Sequence, residues 1–179
     1  MADSTPIDAL VDRLSRLPGA QVGRGPRHPR SPDAAVAPRL DTFLSEHPTL
    51  RDDAGYIEFQ EKYAGAMIQH PGRRQIVDIL GFSDASTDMQ EMEGPVVDDD
   101  GFLVFAECIH HITVDGRLEE VHEQAFAFSV VSGRRPGIYR LVSTMADQSG
   151  EYRWYTDDFT VWLRDLVDND GWSTPMDPT

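Results

Sequence analysis

The feature that most restricts the fold is a change of hydrophobic period near residue 102. Before it, apolar residues recur at helical spacing; after it, they alternate one in two. Residues 102–109 (FLVFAECI) have the make-up of a strand, and Asp115-Gly116 is a hairpin turn signal between Ile112-Thr113-Val114 and Leu118. In 124–131 the large residues Phe126, Phe128 and Val130 alternate with Ala125, Ala127 and Ser129. One face of such a strand packs a core, and the other admits a close neighbour. Turns at 133–137 (GRRPG) and 148–150 (QSG) predict strands at 138–144 and 151–155.

The helical part has clear starts and stops. Thr5-Pro6-Ile7-Asp8 offers a capping hydroxyl, a proline suited to the first helical position and an acid near the positive end of the helix dipole. Ile7, Leu10, Val11, Leu14 and Leu17 then form one apolar stripe, which must dock on its own domain or on a partner. Residues 40–66 read as two short helices. Leu40, Phe43, Leu44 and His47 share a face that ends at Pro48. Asp52 or Asp53 caps the second helix, which turns Tyr56, Phe59, Tyr63 and Met67 inward, and Gly65 suits its left-handed end. Residues 73–82 (RRQIVDILGF) read as a first, buried strand. Thr156, Asp157 and Asp158 start a last helix striped by Phe159, Trp162, Leu163, Leu166 and Val167, with Gly171 past its end.

This order predicts an α+β domain: a largely antiparallel sheet of about five to six strands, with N-terminal helices and one C-terminal helix packed on it. The expected divisions are an amphipathic helix at 1–17, a Pro/Gly/Arg-rich linker at 18–39, the α+β domain at 40–170 and a polar tail at 171–179.

Charge narrows the partners. The chain has a net charge of -15, yet residues 1–40 carry six Arg against four Asp, so the remainder holds the whole excess of acid. Such a field repels nucleic acid and anionic membranes and draws basic partners. No apolar run approaches the ~20 residues of a membrane span. The start MADSTPIDAL has acids where a signal peptide has a basic region, so a cytoplasmic location is expected. The one cysteine, Cys108, allows no intrachain disulfide and reads as a small apolar strand residue. Residues 83–101 carry Asp84, Asp88, Glu91, Glu93, Asp98, Asp99 and Asp100 with no basic residue. Those charges stay in water or meet something basic, and they are the candidate protein-binding residues.

Catalytic signals are thin. Asp98, Asp100, Gly101 and Glu107 match several positions of a calcium-binding EF-hand loop, but Val96 stands at the first ligand position and an acidic turn explains the pattern better. Glu107, His110, His111, His122 and Glu123 are the nearest thing to a metal or acid–base cluster. A metal-dependent enzyme using Glu107, His111 and His122 is therefore one alternative. Without an HExxH spacing, histidines on an exposed sheet face explain the residues equally well. There is no Gly-x-Ser-x-Gly elbow and no phosphate-binding glycine loop, and no cofactor is implied.

The run YIEFQEKYAGA at 56–66 resembles the early helix of the SUKH superfamily, bacterial immunity proteins related to a fungal regulator of cell-wall assembly. The matching positions are Asp53, Tyr56, Phe59 and Gly65, then Ile79-Leu80-Gly81-Phe82, Asp100-Gly101-Phe102, and Phe159, Trp162 and Leu163 in the closing helix. Gln60 stands where leucine is usual, and the segment before Leu40 is long and Pro-rich. The resemblance spans residues 40–168 and implies an α+β binding module without catalysis, of the kind that sits on a toxin, often a nuclease. Together with the acidity it gives the expected function: an immunity-type inhibitor that meets a basic protein surface through Asp84–Asp100. A structural or regulatory scaffold subunit docking through the N-terminal helix is the other alternative.

Overall fold

A computed structural model describes residues 5–23, 36–71, 75–81, 95–114, 117–144 and 147–171. The elements run α1 (Pro6–Leu14), β1 (Ala20–Val22), α2 (Val36–Glu46), a 3₁₀ turn (Pro48–Asp52), α3 (Ala54–Tyr63), β2 (Ala66–Gln69), β3 (Gln75–Ile79), β4 (Val96–Val97), β5 (Phe102–Val114), β6 (Arg117–Ser129), β7 (Ile138–Thr144), β8 (Asp147–Thr156) and α4 (Phe159–Asp168).

Helix α1 starts as its capping residues dictate. The Thr5 hydroxyl accepts the Asp8 amide, the Asp8 carboxylate accepts the Thr5 amide, and Pro6 opens the first turn. Asp8 also accepts from the Tyr63 hydroxyl at 2.6 Å and the Lys62 ammonium at 3.0 Å, tying the start of α1 to the end of α3. The Tyr63 hydroxyl, then the Thr5 amide and Lys62, hold the Asp8 carboxyl well below the usual carboxylate range. The stripe Ile7, Leu10, Val11 and Leu14 is buried against α3 and α4. It docks within its own domain.

On α2, Leu40 and Leu44 are buried, while the ring of Phe43 lies 4.7 Å from that of His47. Pro48 opens the 3₁₀ turn, which buries Leu50. Asp53 then does two jobs. One carboxylate oxygen accepts the Tyr56 amide at 2.9 Å, capping α3; the other accepts the amide of Phe159, the first residue of α4, at 2.8 Å. Asp158 caps α4 separately through the Val161 amide at 2.8 Å. Helix α3 ends differently from expectation. The left-handed residue is Ala64, φ 50°, with Gly65 following at φ 104°. The chain has therefore left the helix before Met67, which lies in β2 rather than on the helical stripe.

Among the described residues the sheet has eight strands in the order β1-β2-β3-β5-β6-β7-β8, with β4 paired to β5, and every pairing is antiparallel. The fold is thus α+β, with more strands than the sequence predicts. The additions are short. Residues 20–22 form an edge strand inside the stretch read as linker, β2 follows α3 directly, and β4 is two residues long. Of the strand expected at 73–82, β3 takes Gln75–Ile79 and stops before Leu80 and Gly81, while 73, 74 and 82 lie outside the described residues. The β5–β6 ladder closes at Val114 opposite Arg117, the register a two-residue turn requires; Asp115 and Gly116 themselves lie outside the described residues.

The four helices among the described residues pack on one face of this sheet and share one apolar core with it. Its centre is aromatic. Phe105 has Tyr56, Phe128, Phe159 and Trp162 around it, with ring centroids at 5.7, 4.8, 5.6 and 5.0 Å. Tilted and edge-on contacts of this kind add to what the buried area alone provides. Cys108 is fully buried here, as a small apolar strand residue would be. Among the described residues no helix is long and apolar enough to cross a membrane.

Candidate functional site

Among the described residues the helices lie on one side of the sheet, and no helix covers the other face. Alternation along each strand decides which residues lie there. Val77, Ile79, Cys108 and Phe126 point into the core, so Asp78, Glu107 and Ala125 take the opposite face. The ladder sets Met67, Asp78, Glu107 and Ala125 side by side across four strands. A second rung carries Val104, Ala127, Tyr139 and Trp154 across β5 to β8.

The second rung is roofed by the protein's own rings. Ala127 is fully buried though no helix of the described residues lies over it. Phe102 meets Tyr139 edge-on at 5.1 Å and stacks on Tyr152 at 3.9 Å, and Trp154 packs beside them. The small-residue side of β6 does admit a close neighbour. That neighbour is internal.

Two loops rim this aromatic end. The turn at 98–101 is shaped by Asp98, whose carboxylate accepts the amides of Asp100 at 3.1 Å and Phe102 at 2.8 Å. Gly101 takes φ 76°, and a side chain there would run into Val131. Asp99 and Asp100 are exposed. From the loop 131–137, Arg134 donates to the Asp100 carbonyl at 3.2 Å and lies over the Phe102 ring at 4.3 Å. Arg135 lies over the Trp154 ring at 3.4 Å. The loop is fixed from below, because the Tyr139 hydroxyl donates to the Arg135 carbonyl at 2.8 Å and the Trp154 indole to that of Pro136 at 3.2 Å.

The first rung is acidic. Asp78 is half-buried, and among the described residues nothing bonds to it. Burial alone acts on its carboxyl and pushes it up. Glu107 stands directly across the β3–β5 ladder. Apolar Met67, Ile76, Val104 and Ile109 surround the pair, each half-buried. The acids reach the aromatic end too: burial first, then Asp98, Asp100 and Glu107 push the Tyr152 hydroxyl up, and that hydroxyl bonds to Asp98.

The residues singled out from sequence are only partly brought together. Asp84, Asp88, Glu91 and Glu93 lie outside the described residues; the chain leaves β3 after Gly81 and re-enters at Pro95, beside β5 at both points. Asp98, Asp99 and Asp100 form the rim turn. Glu107 sits six residues along an extended strand from Gly101, so it does not share a calcium loop with them. The proposed metal set falls on three different rungs. Glu107 is opposite Ala125, His111 is opposite Val121, and His122 is opposite His110. Glu107 and His111 are roughly 13 Å apart along the strand. Among the described residues no group of three or more His, Cys, Asp or Glu is placed to hold a metal ion.

Asp78 and the quartet Phe102, Tyr139, Tyr152 and Trp154 are what sequence reasoning missed. A signal was present: an acid sits in mid-strand between Val77 and Ile79, and aromatic residues alternate at 152 and 154. Comparison with protein-family models, curated proteins and solved structures returns no match.

The arrangement offers a surface of Trp, Tyr and Arg next to carboxylates. Trp, Tyr and Arg are the side chains that dominate binding energy at protein interfaces.

Proposed function

We propose that the chain is a non-catalytic protein-binding domain, an immunity-type inhibitor that covers a basic surface on a toxin such as a nuclease. The observation that carries this reading is the sheet face that no helix of the described residues covers, where half-buried aromatic residues adjoin Asp78, Glu107 and the Asp98–Asp100 turn. The net charge of -15 supplies the long-range attraction. The resemblance of residues 40–168 to the SUKH superfamily fits the same role, and Asp84, Asp88, Glu91 and Glu93 add four more acids to the sequence between β3 and β4. The alternative of docking through the N-terminal helix gains nothing from the fold, since the apolar stripe of α1 is taken up inside the domain. Rim acids of this kind act chiefly on the rate of encounter.

The test is titration of the full chain against the product of the neighbouring gene at low and high salt. Binding is expected, with an association rate that falls by about tenfold or more as salt screens the rim. No binding, or binding that strengthens with salt, would contradict the electrostatic reading.

A further inference from the structure

The two edges of the sheet differ. Strand β1 closes one side with three residues, Ala20–Val22, a length that blunts an edge. Strand β8 closes the other with ten, Asp147–Thr156, and among the described residues no strand pairs with its outer side. Every second residue of such a strand turns its amide and carbonyl outward, where another strand can bond to them. Tyr155, one of the two exposed large apolar residues among those described, lies on this strand. We infer that the occupant of this edge is the β8 strand of a second copy of the chain, paired antiparallel about a two-fold axis at Tyr152. The order of side chains along β8 selects that occupant and sets the register. Tyr152 and Trp154 lie on the face that no helix of the described residues covers, so Glu151 and Arg153 between and beside them take the helix side. Two-fold pairing at Tyr152 then puts Glu151 of each copy opposite Arg153 of the other. The neighbouring registers that keep both faces aligned centre on Glu151 or on Arg153, and each sets like charges against each other. Within the chain Glu151 and Arg153 meet at 3.6 Å with both side chains more than half exposed, so both can reach across the edge. Sizes match as well. The same register sets Trp154 opposite Gly150, where a side chain would run into Leu141, so the Trp154 ring of the second copy finds room and an apolar neighbour. Tyr152, already stacked on Phe102 at 3.9 Å, meets its own counterpart, and the aromatic row of the open face runs on through both copies.

This pairing does not depend on the protein-binding role and is tested on the chain alone. Sedimentation of the full chain over a range of concentrations is expected to show a reversible monomer–dimer equilibrium that salt weakens. Glu151→Arg or Arg153→Glu puts like charges together at both symmetric contacts, and each is expected to weaken the dimer by about tenfold or more. The exchange of both, Glu151→Arg with Arg153→Glu, restores opposite charges across the edge and is expected to recover dimerisation to within about threefold of the parent. Urea midpoints of all three variants should stay close to the parent's, because both side chains are exposed. A parent chain that stays monomeric at every concentration would overturn the pairing. Single variants that dimerise as the parent does, or an exchange variant that fails to recover, would overturn it too. Each of these outcomes leaves the toxin-binding reading to its own titration.

Discussion

Replacing Asp53 by alanine is expected to lower the stability of the folded chain by about 2–4 kcal/mol. The effect is large for a single carboxylate because two helices end on it. It accepts the Tyr56 amide at 2.9 Å and the Phe159 amide at 2.8 Å, so alanine leaves an orphaned donor at the start of both α3 and α4. Those donors sit beside the aromatic centre of the core, where water cannot freely replace the lost acceptor. The variant also has a pH signature. Burial raises the Asp53 carboxyl above its ordinary value, opposed by its two amide donors. A raised carboxyl means the folded state holds its proton more tightly than the unfolded state. The Asp53 contribution is therefore fully present in acid and declines as pH rises through the raised value. The penalty for Asp53→Ala should shrink over the same window. Urea titrations of both chains across that range check it, and a penalty that grows with pH would mean the amide donors outweigh burial.

Phe105→Ala is expected to cost about 3–5 kcal/mol, a large share of the roughly 5–15 kcal/mol that keeps a domain folded. Phe105 is fully buried and, of the sheet's rings, meets both α3 and α4, touching Tyr56, Phe159 and Trp162. It also sits at an irregularity in β5, between Val104 paired to Ala127 and Ala106 paired to Phe126. That bulge turns both Phe105 and Ala106 to the core, so the cavity left by alanine has backbone on one side and cannot close by a simple rotamer change. Phe105→Leu should recover part of the loss. Equal stability of the alanine variant and the parent would show that the aromatic centre is not where the layers are joined.

The sequence made the capped helices and the long hairpin legible because their signals are local. Thr5, Asp53 and Asp158 each bond an amide three residues on, and the β5–β6 register follows from a two-residue turn. Strands β1, β2 and β4 were hidden because two to four residues carry no usable period; pairing with neighbours creates them. Met67 was placed on the α3 stripe because it lies four residues after Tyr63, and the break at Ala64-Gly65 overrules that spacing. The same locality limited the candidate site. Asp99 and Asp100 show in a run of acids, whereas the Asp78–Glu107 rung joins residues 29 positions apart and exists only once β3 is registered on β5. The histidines mislead for the converse reason. His111 and His122 look close around the hairpin, yet the ladder sets His122 opposite His110.

On the proposed reading, the working surface is the sheet face that no helix of the described residues covers. Hydroxyl-radical footprinting of the full chain, alone and bound to the neighbouring gene's product, tests that claim most directly. Met67, Tyr152 and Trp154 should lose reactivity on binding, while Phe43 and Tyr63, half-buried on the helical side, should keep theirs. Protection of Phe43 and Tyr63 with Met67, Tyr152 and Trp154 unchanged would contradict it.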